Sequence, residues 1–73
     1  MEDDMELHPV ASVNIRAIGY DHDSQRLVVQ FHSGRQYAYA DVSPEVYEAF
    51  LEAKSMGIFF VREVRGKYDT EKL

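Results

Sequence analysis

Hydrophobic residues recur at two different periods along this chain. Val13, Ile15 and Ala17 share one parity while Asn14 and Arg16 take the other, the pattern of a half-buried strand. At Gly19 the parity slips, since Ile18 and Tyr20 fall on the opposite side, and this predicts a bulge near Gly19. Asp21-His22-Asp23-Ser24 is a run of turn formers. Leu27, Val29 and Phe31 then alternate with Val28, Gln30 and His32 as a second strand. Ser33-Gly34 supplies a tight turn, with Gly34 free to take a positive φ. Tyr37 and Tyr39 share one face of a third strand, opposite Gln36, Ala38 and Ala40. Short turns between consecutive strands predict an antiparallel meander.

The period changes after Ser43-Pro44-Glu45. Ser43 suits the cap of a helix, Pro44 the first helical position, and Glu45 the positive end of the helix dipole. Val46, Tyr47, Phe50 and Leu51 form one apolar stripe, with Glu48 and Glu52 outside it. Ser55-Met56-Gly57 breaks this helix and offers a new cap. Ile58 to Val64 suits a strand by composition and a helix by the spacing of Phe60 and Val64; it is read as a short helix ending near Gly66. The fold class expected is α+β: a three-stranded antiparallel β-meander followed by two short helices packed on one face. Residues 1–9 read as a disordered acidic tail closed by Pro9, residues 10–68 as the single domain, and residues 69–73 as a C-terminal tail.

At 73 residues, one small domain with a modest core is the expected organisation. With no cysteine and no tryptophan, neither disulfides nor thiolate metal sites are available, and five Tyr and four Phe must carry much of the packing. The longest purely apolar run is Ile58 to Val61, far short of the roughly 20 residues that span a bilayer. With an acidic rather than basic start, the chain reads as a soluble cytoplasmic protein with no membrane contact. The net charge of −5 is concentrated in Glu2, Asp3, Asp4 and Glu6, and the remainder of the chain carries −1. Near the C-terminus Lys54, Arg62, Arg65, Lys67 and Lys72 outnumber Glu63, Asp69 and Glu71. The balance excludes a strongly basic nucleic-acid domain but leaves room for a local basic patch.

The ordered series of motifs resembles the KTSC domain family, a small domain of some lysyl-tRNA synthetase C-termini and of stand-alone bacterial proteins. The matching residues are Ser12-Val13-Asn14-Ile15, Ile18-Gly19-Tyr20-Asp21, Leu27, Val29, Phe31 and Gly34, then the central Tyr37-Ala38-Tyr39. Val42, Pro44, Val46-Tyr47, Leu51, Ser55, Gly57, Phe60, Arg65 and Tyr68 continue the series over about residues 10–68. Two positions depart: Val61 stands where the family often has Asn, and Ser43 where it has the first of paired prolines. The synthetase association implies RNA as a partner, tRNA included. That is an implication of context, since a fold does not fix a function.

No catalytic set emerges from the residues. Ser12, Ser24, Ser33, Ser43 and Ser55 mostly fall at turns and caps, and Gly19, Gly34, Gly57 and Gly66 are too scattered for a phosphate loop. His8, His22 and His32 fall on the tail, a turn and an outward strand position. Asp21-His22-Asp23 concentrates ligands in one turn without making a metal site. The expectation is a non-enzymatic binding module with no metal and no small-molecule cofactor.

Two sets of residues suit RNA. Arg62, Arg65 and Lys67 beside Tyr68 combine cationic donors with a stacking ring; on a helix, positions 62 and 65 share a face. Arg35, Tyr37 and Tyr39 are possible additions, the tyrosines being a stacking platform if their face meets solvent and core if it meets the helices. Asn14, disfavoured inside a strand, either bonds a loop or contacts a ligand. The alternative is a protein-interaction module that uses an exposed apolar patch around Ile58, Phe59 and Val61.

Overall fold

The computed structural model describes residues 6–73. Among these, a five-stranded antiparallel sheet runs in chain order: β1 (His8–Pro9), β2 (Ile15–Asp21), β3 (Arg26–Phe31), β4 (Gln36–Tyr39) and β5 (Thr70–Lys72). Between β4 and β5 come α1 (Pro44–Glu52), α2 (Met56–Phe59) and a π-helical turn over Phe60–Val64. The α+β class and the central meander agree with the sequence pattern, but the sheet has five strands rather than three. The two additional strands come from segments read as tails. His8 and Pro9 pair with Ile18 and Ala17, and Thr70 to Lys72 pair with Tyr39 to Tyr37. Neither segment carries an alternating apolar pattern, because both lie at sheet edges where backbone pairing suffices. The acidic residues Glu2, Asp3 and Asp4 lie outside the described residues.

The irregularity expected at Gly19 lies between Ile15 and Ala17. Ile15 faces Phe31 and Ala17 faces Gln30, so Arg16 is the extra residue. The insertion brings Ile15, Ile18 and Tyr20 onto one face, which three regular positions of an unbroken strand would not allow. That face, with Leu27, Val29 and Tyr39, packs under the helices. The other face carries the small residues Ala17, Val28 and Ala38.

The helices begin as the capping residues dictate. The Ser43 hydroxyl accepts from the Val46 N–H at 3.3 Å, with Pro44 in the first turn. The Ser55 hydroxyl accepts from the Ile58 N–H at the same distance. Phe50 is the fully buried anchor of α1, and its ring stacks on Phe59 with centroids 5.2 Å apart. Phe59 therefore turns inward rather than joining an apolar surface patch. Tyr20 donates its phenolic hydrogen to the Val42 carbonyl while its ring stacks on Tyr47 at 4.5 Å, tying β2 to the start of α1. Burial raises the Tyr20 hydroxyl above its ordinary pKa, with Glu45 and Asp21 adding to the effect. The ambiguous segment is helical as far as Val64, and Gly66, near which the sequence places its end, lies in the following turn at φ +76°.

Candidate functional site

Residues 10–14 form a strap across the end of the sheet. The Val10 N–H donates to the Arg16 carbonyl at 3.0 Å, and the Ser12 hydroxyl accepts from the Ile15 N–H at 3.3 Å. The end of β3 fastens the strap from the other side. The His32 N–H donates to the Asn14 carbonyl at 3.0 Å, and His32 Nε2 lies 3.0 Å from the Ser12 carbonyl. Between this strap and the helical segment 55–65 run two hollows that open to solvent.

The first, of about 630 Å³, lies between the strap and the start of α2 and carries Lys54 and Arg62 on its walls. The second, of about 410 Å³, carries His32, Arg35 and Arg65, with the rings of Phe31, Tyr37 and Phe60. Val13, Asn14, Gly57 and Val61 line both, so the two are one continuous groove with Asn14 at its waist. A third hollow shares Phe31, Tyr37, Phe60 and Arg65, adds Tyr39, and extends the path past Gly66 to Thr70.

The electrostatics of the groove oppose those of the chain. Lys54, Arg62, Arg35 and Arg65 are four of the eight Lys and Arg residues. No Asp or Glu lines either hollow among the described residues. Positive charge gathered beside aromatic rings is the chemistry that suits an anion with flat apolar surface.

Two of these cations, Arg35 and Arg65, are positioned by local backbone devices. Gly34, at φ +96°, donates its N–H to the Phe31 carbonyl, and Phe31 in turn donates to the Arg35 carbonyl at 2.9 Å, which closes the hairpin beside the groove. Arg65 follows the π-helical turn in extended backbone, its N–H donating to the Phe60 carbonyl at 2.8 Å. Val61 and Arg65 thereby line the second hollow, while Arg62 lines the first.

The structure divides the residues singled out from the sequence. Arg35, Tyr37 and Arg65 come together in one hollow, and Arg62 stands in the adjoining one rather than on a shared helix face with Arg65. Lys67 and Tyr68 line neither, and the half-buried Tyr68 ring packs against the core. Tyr39 is only 4 % exposed, opposite Leu27 and edge-on to Phe60 at 5.8 Å. Its enclosed ring offers no face for stacking, so the solvent-facing platform of paired tyrosines is absent. Burial pushes the Tyr39 hydroxyl up to about 12, with Tyr37 raising it further and Arg65 lowering it. Tyr37, half-buried, stands edge-on to Phe31 at 6.1 Å on the wall of the groove.

Three groove residues were not legible as a group: Phe31, His32 and Lys54. Phe31 and His32 end β3, where the chain leaves the sheet and the alternation no longer tells inside from outside. Among the described residues no group of three or more His, Asp or Glu side chains is placed to hold a metal ion.

The sequence profile of the KTSC domain matches residues 11–68. The chain belongs to the KTSC domain family. A KTSC domain protein from Yersinia pestis, known from its crystal structure, superposes with a TM-score of 0.92 at 36 % identity, over 94 % of this chain and 97 % of that one. A protein of Stutzerimonas stutzeri is 49 % identical over 49 residues, covering 67 % of this KTSC chain and 69 % of the relative. A lysine–tRNA ligase of Nostoc punctiforme is 37 % identical over 67 residues, 92 % of this chain but 12 % of the ligase. No helix among the described residues is long and apolar enough to cross a membrane.

Proposed function

We propose that this KTSC domain is a non-enzymatic RNA-binding module of the cytoplasm, tRNA being one candidate. The observation that carries the reading is the groove itself, where four cations meet aromatic rings without an opposing carboxylate among the described residues. Arg35, Arg62 and Arg65, with Lys54, neutralise phosphates; Phe31 and Tyr37 offer ring surface to bases. Lys67 and Tyr68, just beyond the groove, extend the contact along the backbone. The relationship to a stretch of a lysine–tRNA ligase supports the choice of RNA.

The test is the salt dependence of binding to a labelled RNA. Binding that falls steeply between low and moderate salt, with a slope reduced by about one in each of Arg35→Ala and Arg65→Ala, supports the groove. Absence of binding at low salt contradicts the reading.

A second reading rests on Val13, Ile58 and Val61, which are 90 %, 58 % and 52 % exposed and line the first hollow. Apolar side chains so exposed suit a protein partner or a second copy. Concentration-dependent sedimentation, abolished in Ile58→Ser with the fold retained, would favour it over RNA. Phe59 is unsuited to that test because it stacks on Phe50.

A further inference from the structure

We propose that the groove accepts one unpaired nucleic-acid strand rather than a duplex, and that Asn14 reads the edge of a base seated at its waist. The inference rests on the RNA-binding reading and goes further, to the form of the nucleic acid and the residue that discriminates.

A duplex presents phosphates outward and hides the faces of its bases in the stack. Such a ligand matches Lys54, Arg62, Arg35 and Arg65 and leaves the rest of the groove unused. Much of the remainder is apolar: Val13, Ile58 and Val61 stand exposed at the first hollow, and Phe31, Tyr37 and Phe60 line the second. An unpaired strand carries both chemistries along its length, with charged phosphates on one side and flat apolar bases on the other. Cations placed in both hollows, with an apolar waist between them, match that alternation.

Asn14 stands at this waist with its side chain exposed. Its backbone carbonyl is taken by the His32 N–H, which fixes the residue in place. Its side-chain amide takes part in none of the side-chain hydrogen bonds among the described residues. On one side the amide lies close against Gly57, where an added Cβ would sit 3.6 Å from Asn14 Nδ2, so only its other side is open to a ligand. An exposed amide with two donors and an acceptor, carried on a backbone that is fixed in place, is suited to the donor and acceptor pattern of a base edge. A phosphate would use only its donors.

The test is a competition experiment with the full chain. An end-labelled short RNA is displaced by the same unlabelled strand, by that strand annealed to its complement, and by heparin, a polyanion without bases. The proposal expects the single strand to compete about tenfold better than either of the others. Equal competition by the duplex or by heparin overturns it while leaving electrostatic RNA binding intact. Failure of the labelled strand to bind at all overturns the parent reading as well.

Asn14→Ala separates the second part of the claim. Its amide spectrum should show the fold retained, because only an exposed side chain is removed. Preference among homopolymers of the four bases should shrink by about tenfold while the salt slope stays unchanged. An unaltered preference removes Asn14 from the reading role.

Discussion

The backbone N–H of Arg65 donates to the carbonyl of Phe60, five residues earlier, at 2.8 Å. This wide turn closes the helical segment and sends the chain onward in extended backbone. Phe60 and Val64 keep their places in the core while Arg65 emerges on the wall of the groove. One irregular turn thus connects the packing of the domain to its main concentration of positive charge. π-helical turns are uncommon and occur frequently at functional sites, consistent with this placement.

Gly66 lies at φ +76° in the next turn, which the Lys67 N–H closes on the Val64 carbonyl at 3.0 Å, and a Cβ added there would meet no atom within 4 Å. Substitution therefore acts through backbone conformation and not through crowding. Gly66→Ala should lower stability by about 1 kcal/mol, and Gly66→Asn by less, because Asn tolerates the left-handed region. Urea denaturation followed by circular dichroism gives both values. Equal stability of Gly66→Ala and the parent would show that the positive φ is not maintained.

The buried Tyr39 hydroxyl links stability to alkaline pH. Its pKa of about 12 in the folded chain lies above the ordinary tyrosine value of 10.0. The folded state holds this proton more tightly than the unfolded state does. The stabilising contribution is therefore complete below about pH 10 and is lost as pH rises toward about 12. Urea midpoints measured across this window should fall, and the fall should be shallower in Tyr39→Phe, which has no hydroxyl to ionise. An equally steep fall in Tyr39→Phe would assign the alkaline transition to other groups, Tyr20 and Tyr47 foremost, whose hydroxyls burial also raises.

The contribution of β5 is open to direct test. The Ala40 N–H donates to the Asp69 carbonyl at 3.0 Å, and the Leu73 N–H to the Gln36 carbonyl at 2.9 Å, so the strand is fastened at both ends. Removal of residues 70–73 should leave β4 as an exposed edge, with faster amide hydrogen exchange at Ala38 and Ala40, whose N–H groups face β5, and a lower urea midpoint. The Arg26–Glu71 ion pair, at 3.4 Å with Glu71 71 % exposed, contributes little to that loss. Unchanged exchange in β4 would mean that the strand does not pair in solution.

The sequence carried the central meander and α1 clearly, because their apolar residues alternate or recur at one helical spacing and Ser43 and Pro44 mark the helix start. The outer strands were hidden for a physical reason. His8–Pro9 and Thr70–Lys72 bury no side chain, and pairing that engages only the backbone leaves no hydrophobic period. The bulge was legible as a change of parity but was displaced from Arg16 to Gly19, since the parity alone does not say where the extra residue sits. Of the site, the cations were visible as a local excess around Arg62 and Arg65. Their association with Arg35, Asn14 and His32 depends on the strap crossing the sheet end, a long-range arrangement with no local signal. Tyr37 and Tyr39 share a strand face, yet only Tyr37 lines the second hollow; Tyr39 borders the third while its ring stays almost wholly covered.

The central claim is that the groove binds RNA. The most direct measurement is an amide chemical-shift titration with a short mixed-sequence RNA at low salt, repeated at moderate salt. RNA binding should give shifts gathered on residues 12–14, 31–37 and 54–68, weakening as salt rises. A flat response at high RNA concentration, or shifts confined to the opposite face at Ala17, Val28 and Ala38, would contradict it.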